Sequence, residues 1–463
     1  MRLIGKKVKW MAGVIICAQS FAPVNAEELP GVFAESVLHE GVSADKLRIN
    51  LEQAIEIALS DNPTIIVAGQ EIELKKASEK EALYSLLPSA ELTGSYQNAI
   101  KKQKMALGGM GDEPLEIEMG MKNTYNASLA VSLPIYAPAL YQSIKMTKTD
   151  IELAVEKSRA SKLDMVNQVT KAYYQLLLTQ DSYDVLQKSF AQAEANFNVV
   201  NEMYKLGSVS EYDKIRADVQ VRSLRPNVVS ARNGVDLAKL QLKVLLGLDS
   251  DMEIEIEGNL KDYESEMSDG SAIAGSLSLA DNSDLKQLDL NSDMLEHNLK
   301  LQKANFKPTI GAQYSYSYMT MNENYKFFRY DWIPYSSIAL SVNIPLFKAS
   351  NFPKVRKAKI QMAQLKETRV NAERMLYMQI SAYLNSMSAS SEQLISNKEG
   401  VQQAEKGRLI AQKRYEVGKG TILELNDSEV ALTQTQLVYN QSIYDYITAK
   451  ADLEKVLGKD SNK

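Results

Sequence analysis

Tyr204-Lys205-Leu206-Gly207 recurs 211 residues later as Tyr415-Glu416-Val417-Gly418. Other elements recur at or near that offset: 133–136 (L-P-I-Y) as 344–347 (I-P-L-F), Ala172-Tyr173 as Ala382-Tyr383, and 246–249 (L-G-L-D) as 457–460 (L-G-K-D). Upstream, Asn62, Pro88 and Tyr96 have counterparts 220 residues on, at Asn282, Pro308 and Tyr316. A near-constant offset over most of a chain indicates an internal duplication. We therefore expect two structural repeats, 27–250 and 282–463, joined by a linker or equatorial segment at 251–281.

Each copy of the turn motif predicts the end of one helix and the start of the next. Gly207 and Gly418 can take the left-handed conformation that satisfies the last carbonyls of a helix. Ser210 and Thr421 are suited to cap the following helix, with Asp213 and Glu424 three residues on as capping-box partners. Each turn therefore predicts an antiparallel helical hairpin.

The hairpins are predicted to be long. Residues 139–206 contain no proline or glycine, and residues 354–417 are interrupted only by Gly400 and Gly407. We expect hairpins at about 137–247 and about 351–458, each preceded by a shorter helix at the start of its repeat. A helix of this kind spans on the order of 100 Å at ~1.5 Å per residue, which favours reach across a compartment over catalysis.

Four segments alternate between apolar and polar residues, at about 89–100, 124–134, 309–319 and 336–345. In the third, Ile310, Ala312, Tyr314, Tyr316 and Tyr318 interleave with Thr309, Gly311, Gln313, Ser315 and Ser317. This is the period of a strand with two different faces. A soluble hairpin packed on a core is one interpretation; the segment lengths and the tyrosines favour strands of a membrane barrel. Four strands cannot close a barrel alone, so the barrel would be shared between chains.

Two further segments, 101–122 and 1–26, are interpreted from their composition. Residues 101–122 carry G-G-M-G at 108–111, but no lysine or following helix fits a phosphate-binding turn, so we expect a loop between strands.

Residues 1–26 combine a basic start, an apolar run from Trp10 to Ala22 and the small-residue sequence V-N-A at 24–26. This pattern predicts a secretory signal peptide, with Glu27 as the first mature residue.

The composition excludes several classes of site. Cys17 is the only cysteine, and the bulky Ile16 before it argues against lipid attachment. The two imidazoles, His39 and His297, are far apart and lack metal-ligand spacing. No metal site, cofactor or catalytic triad is therefore expected. A formal charge of −5 without a basic stripe also argues against nucleic acid as a partner.

These features together resemble the TolC family of outer-membrane efflux proteins. The resemblance rests on the signal peptide, the duplication, the four strands, 51–54 (L-E-Q-A) leading to 61–63 (D-N-P), the paired Y-x-x-G turns and the two closing Leu-Gly elements. It covers nearly the whole mature chain. It implies an α+β membrane protein: a homotrimer whose 12-stranded transmembrane β-barrel, with four strands per chain, is continued by a long α-helical periplasmic barrel.

The resemblance also implies a location, partners and a site. The location is the outer membrane of a Gram-negative bacterium, in contact with outer-membrane lipid. The partners are a periplasmic adaptor (membrane fusion protein) and an inner-membrane pump of the RND, ABC or MFS type. The implied pore constriction is acidic, with Asp427, Glu424 and Asp213, and Tyr415 is implied as a hydrogen-bonding latch. Gly420 stands where a family member carries a latch arginine, which puts an arginine lock in doubt.

Other readings remain open from the residues. Asp213 and Glu424 are favoured near a helix N-terminus whether or not they line a pore, whereas Asp427 lies one turn further on. Tyr204 and Tyr415 are equally suited to packing in the hairpins. A periplasmic adaptor, a helical scaffold protein or a periplasmic enzyme is the alternative to a channel. An adaptor would need β-domains flanking a single hairpin, and no nucleophile, base and orienting group occur together.

Overall fold

The computed structural model describes residues 47–107, 115–249, 251–269, 278–325 and 330–459. The predicted signal peptide, Cys17 and His39 lie outside these residues. The helices are α1 (Leu51–Asp61), α2 (Pro63–Tyr84), α3 (Pro138–Lys205), α4 (Glu211–Leu246), α5 (Ser283–Ala304), α6 (Asn351–Glu416) and α7 (Ile422–Leu457), with a 3-10 helix at Leu260–Asp269. The strands are β1 (Leu47–Ile49), β2 (Ser89–Asn98), β3 (Gln103–Leu107), β4 (Leu115–Met119), β5 (Asn123–Tyr136), β6 (Ile254–Ile256), β7 (Thr309–Asn322) and β8 (Ile333–Asn343).

Four of the strands form an antiparallel sheet in the order β2-β5-β7-β8. The register places Leu92 opposite Leu129 and Leu129 opposite Tyr316, so apolar side chains share one face. On the other face the hydroxyl groups of Thr93 and Ser128 lie 2.7 Å apart. The sheet is therefore amphipathic, as the alternation predicts. Among the described residues no strand pairs with the outer edges of β2 and β8.

The expectation of a plain loop at residues 101–122 is wrong in part. β3 and β4 pair antiparallel, with Gln103 opposite Met119, and form a ribbon that extends the β2–β5 hairpin. The physical reason lies in the sequence L-E-I-E-M at 115–119, which alternates with the period of a strand. The G-G-M-G segment lies outside the described residues.

The long helices form two antiparallel hairpins. α3 has 68 residues and α6 has 66, so each spans on the order of 100 Å. α3 packs on α4, α6 packs on α7, and α3 also packs on α7, which gives the lateral order α4-α3-α7-α6. Within the described part of the chain, no helix has both the length and the apolar content to cross a membrane.

The segment after the first hairpin connects both hairpins near their middle. β6 pairs with β1, and the fully buried Tyr173 of α3 donates a hydrogen bond to the carbonyl of Glu257 at 2.7 Å. In the 3-10 helix, the carboxylate of Glu264 accepts hydrogen bonds from Lys398 of α6 at 2.6 Å and from Tyr439 of α7 at 2.8 Å. The described part of the predicted linker, residues 251–269, therefore contacts both hairpins.

Candidate functional site

The turn between α3 and α4 is built as its sequence predicts. Gly207 has φ +72°. The hydroxyl of Ser210 accepts a hydrogen bond from the backbone N–H of Asp213 at 3.2 Å. The carboxylate of Asp213 accepts in return from the backbone N–H of Ser210 at 3.3 Å and from its hydroxyl at 2.8 Å. This reciprocal capping box confirms the predicted roles of Ser210 and Asp213 in starting α4.

The turn between α6 and α7 differs in one respect. Gly418 has φ +69°, and Thr421 accepts a hydrogen bond from the backbone N–H of Glu424 at 3.2 Å, which confirms the cap. Within the described residues, the Glu424 carboxylate does not accept the reciprocal hydrogen bond from the backbone N–H of Thr421. That carboxylate instead lies 3.5 Å from the guanidinium of Arg414. The prediction of Glu424 as a capping-box partner is therefore wrong, because a cation from the last turn of α6 attracts its side chain.

An apolar cluster joins the two turns. Val200 and Ala217 of the first hairpin are buried against Ile422 and Leu425 of the second. Burial of apolar surface of this kind is the main force that holds such elements together. The cluster brings the residues singled out in the two turns to one end of the molecule, about 200 residues apart in sequence.

The two turn tyrosines have different surroundings. The ring of Tyr415 packs against the apolar cluster, and its hydroxyl is buried without a hydrogen-bond partner in the described structure. Burial raises the pKa of the Tyr415 hydroxyl, and the nearby negative charge of Asp213 adds to the effect. The latch hydrogen bond implied for Tyr415 is therefore not formed in this conformation. Tyr204, by contrast, faces a cation: the ammonium of Lys214 lies 4.9 Å from the centre of its ring, a cation–π distance.

The third acidic residue, Asp427, is exposed on α7, one turn beyond Glu424. Asp427 takes no part in the cap or in the Arg414–Glu424 ion pair. Among the described residues no group of three or more histidine, cysteine, aspartate or glutamate side chains is arranged to hold a metal ion. Of the three carboxylates expected at the constriction, Asp427 is thus the exposed one that is engaged neither in the capping box nor in the Arg414 ion pair.

Gly420, where a family member carries the latch arginine, lies close against the end of α6, so a side chain there would be crowded. A Cβ atom there would lie 3.0 Å from Cβ of Arg414 and 3.1 Å from the backbone nitrogen of Tyr415. These distances are shorter than ordinary van der Waals contacts, so a side chain would displace the end of α6. An arginine that sequence reasoning missed, Arg414, pairs with Glu424 at this end. The signal for it was a basic residue in the last turn of α6, where cations are favoured.

Glu429 was also missed. This α7 residue is buried, and its carboxylate accepts a hydrogen bond from the amide of Asn196 on α3 at 2.6 Å. Burial raises the pKa of the Glu429 carboxyl, against smaller opposing effects of the Asn196 bond and the charge of Arg408. Nothing local in the sequence marks Glu429 as buried, because α3 covers it.

Comparison with known proteins places this geometry in a family. The family model described as "Outer membrane efflux protein" matches residues 54–248 and 274–459. The chain is 23% identical over 439 residues to the toluene efflux pump outer membrane protein TtgC of Pseudomonas putida, covering 88% of this chain and 82% of TtgC. It is 21% identical over 423 residues to the alkaline protease secretion protein AprF of Pseudomonas aeruginosa, covering 89% of this chain and 85% of AprF.

The fold is shared with solved channels. The crystal structure of the Campylobacter jejuni CmeC outer membrane channel superposes with a TM-score of 0.70 at 17% identity, covering 88% of this chain and 85% of CmeC. Since the family model matches most of the chain, the protein belongs to the outer membrane efflux protein family, whose members are transport channels of the outer membrane.

Proposed function

We propose that three copies of this chain form an outer-membrane channel that exports small compounds or secreted polypeptides from the periplasm. One observation carries the proposal beyond the family assignment. The amphipathic sheet runs directly into the long hairpins, since β5 ends at Tyr136 and α3 begins at Pro138. A sheet suited to lipid on one face, continued by a rod on the order of 100 Å long, supports a duct across the outer membrane and much of the periplasm.

The two open edges of the sheet support assembly. An unpaired strand edge inside a membrane leaves backbone groups without hydrogen bonds, and a closed barrel removes such edges. Closed membrane barrels begin at about eight strands, so the four-stranded sheet needs further copies. β2 of one chain would pair with β8 of the next. Three copies give the twelve strands of the proposed transmembrane barrel, and the apolar face of the sheet would contact outer-membrane lipid.

The acidic end of the hairpins is proposed as the periplasmic constriction. In a trimer, Asp427, Glu424 and Asp213 would each occur three times around the axis. Rings of carboxylates attract cations and are a basis of cation selectivity. The Arg414 guanidinium offsets the charge of Glu424, and Asp213 is engaged in the capping box. We therefore assign to Asp427 the largest contribution to the negative electrostatic potential in the pore.

The names of two relatives support the partners that we propose. One is named for a toluene efflux pump and another for alkaline protease secretion. We propose that this chain is likewise coupled to a periplasmic adaptor and to an inner-membrane pump of the RND, ABC or MFS type. The hairpin turns lie at the end of the molecule away from the sheet, so they are the surface proposed to meet the pump or adaptor.

Two measurements on protein purified from outer membranes test the channel. Unheated detergent samples should contain a trimer by light scattering, giving way to monomer on boiling, and planar bilayers should show discrete cation-selective conductance steps. A well-folded monomer that gives no conductance steps would contradict the proposal.

A further inference from the structure

The junction between the sheet and the helices of the second repeat is positively charged. Six exposed cations surround it: Lys307, Lys348, Lys354, Arg356, Lys357 and Lys359. We call this set the basic junction. Lys307 lies two residues before β7, and the others lie just beyond β8 or in the first turns of α6. No Asp or Glu occurs between residues 332 and 366, and within the described part of the chain none of the six cations has an ion-pair partner.

The duplication indicates that the fold does not require this charge. Uncharged residues occupy four of the six equivalent positions in the first repeat. They are Leu87, Ala137, Ser143 and Met146, in place of Lys307, Lys348, Lys354 and Lys357. A cation is also unfavourable at the positive end of a helix, yet Lys354 lies in the first turn of α6, which has no acidic residue and no side-chain cap. A source of negative charge outside the chain would account for these cations.

Large apolar side chains lie exposed beside the basic junction. Leu346 is 92% and Phe347 is 81% exposed. Leu346 continues the row of exposed apolar residues on β8, which includes Leu340. The centre of the Phe352 ring lies 6.4 Å from that of Phe347 and 5.2 Å from that of Phe306. Exposed apolar groups of this size, rimmed by charged residues, mark a surface that contacts a membrane or another molecule.

Contacts between α5 and α6 hold this surface together. The side-chain amide of Asn351 donates a hydrogen bond to the carbonyl of Asn305 at 3.2 Å. Asn351 and Ala358 are the buried residues in the first turns of α6. Arg356 and Lys357 lie away from that buried side and are exposed to solvent. The cations and the phenylalanine rings therefore form one surface on the outer side of the junction.

We propose that the basic junction binds the headgroups of anionic phospholipids in the periplasm-facing leaflet of the outer membrane, with Leu346 and Phe347 against the acyl chains. This rests on the proposed channel, in which the end of β8 next to the helices lies at that leaflet. Clusters of Lys and Arg beside a membrane-spanning segment attract anionic lipids. Their long side chains reach the headgroups while aromatic rings lie at the interface. Lipid phosphates thus supply the negative charge that the neighbouring sequence lacks.

Lipid retention by purified trimers tests this surface. Trimers in detergent are mixed with phosphatidylglycerol or phosphatidylcholine, and the bound lipids are counted by native mass spectrometry. The parent should retain phosphatidylglycerol at least about threefold better than phosphatidylcholine. The preference should weaken as salt is raised, because salt screens the attraction between charges. The triple variant Lys354→Gln/Arg356→Gln/Lys357→Gln should lose most of the preference.

Two further variants separate charge at this place from charge in general and from apolar contact. The matched control is Lys188→Gln/Arg374→Gln/Lys406→Gln, which removes the same charge from exposed positions elsewhere on the long helices. It should retain as much phosphatidylglycerol as the parent. Phe347→Ser keeps every cation and should still lower retention, because the acyl chains lose an apolar contact. Excess inorganic phosphate should not displace the lipid.

The other outcomes would contradict the inference. Conducting trimers that retain phosphatidylglycerol equally in the parent and the triple variant would overturn the lipid surface and leave the channel in place. A triple variant that no longer forms trimers would assign the cations to contacts between copies and would also overturn it. Displacement of the lipid by inorganic phosphate, with no effect of Phe347→Ser, would indicate a site for soluble anions instead. A parent protein that is monomeric would overturn the proposed function and this inference with it.

Discussion

Asn282 donates a hydrogen bond from its side-chain amide to the backbone carbonyl of Val456 at 2.7 Å. In the first repeat, Asn62 makes the same bond to the carbonyl of Leu245 at 2.8 Å. Each asparagine also caps the helix that it precedes, since its oxygen accepts from Thr64 N–H at 2.8 Å or from Leu285 N–H at 3.0 Å. One buried side chain thus joins the start of each repeat to the end of its return helix.

Replacement of Asn282 should separate these two bonds. Asn282→Ala removes both the cap and the donor to Val456, and we expect a loss of about 2 kcal/mol of stability. Asn282→Asp keeps an oxygen for the Leu285 N–H, so its loss should come from the missing Val456 bond and from the buried carboxylate oxygen that then faces this carbonyl. Thermal unfolding followed by circular dichroism at 222 nm measures both variants. Equal midpoints for Asn282→Ala and the parent would show that the bond does not stabilise the repeat.

Gly458, two residues beyond Val456, should tolerate a side chain less well than Gly418. Both have positive φ, +67° and +69°, so alanine at either costs about 1–2 kcal/mol of backbone strain. At Gly418 a Cβ meets nothing within 4 Å, but at Gly458 it would collide with the carbonyl of Asp281. We expect Gly458→Ala to lose roughly a further 1–3 kcal/mol through overpacking. Equal unfolding midpoints for the two alanine variants would show that the collision relaxes without cost.

Short sequence patterns predicted the turns, the helix caps and the faces of the sheet. The features that they did not predict depend on contacts between segments that are far apart in the sequence. The turn at Gly207 and the cap at Ser210 follow from a few adjacent residues, and strand alternation predicted the two faces of the sheet. The Arg414–Glu424 pair and the burial of Glu429 depend on how α6 and α3 approach α7. Asn196 and Glu429 are 233 residues apart, and no periodicity in one helix reports that contact.

Asp427→Ala tests the proposed constriction. Because Asp427 is exposed and lies beyond the cap, its removal should change thermal stability by less than about 0.5 kcal/mol. Removing three carboxylates from a ring should lower cation selectivity and weaken block by multivalent cations added on the periplasmic side. Single-channel recordings in planar bilayers measure both effects.

Thr421→Ala is the matched variant for the cap. It removes the oxygen that accepts the Glu424 N–H bond, and we expect a loss of about 1 kcal/mol with selectivity unchanged. If Asp427→Ala lowered stability as much as Thr421→Ala and left conductance and cation block as in the parent, Asp427 would be a structural residue.

Glu429 gives the chain an acid whose folded-state pKa is raised by burial between α3 and α7. The folded state then binds a proton more tightly than the unfolded state does, so this group lowers stability as pH rises from the unfolded pKa through the raised pKa. At neutral pH the buried carboxylate therefore opposes folding. The Asn196 bond and the charge of Arg408 offset part of this cost.

Glu429→Gln keeps an oxygen for the Asn196 amide and removes the charge, so we expect a higher unfolding midpoint than the parent near neutral pH. The difference should shrink as the pH is lowered toward the unfolded carboxyl pKa of about 4.3, because the parent is then protonated and neutral as well. Thermal unfolding of both proteins at several pH values measures the difference, with Glu405→Gln as the exposed control that should show none of this pattern. If Glu429→Gln were less stable than the parent at neutral pH, the ionised carboxylate would stabilise the contact between α3 and α7. The attraction to Arg408 would then outweigh the cost of burying the charge.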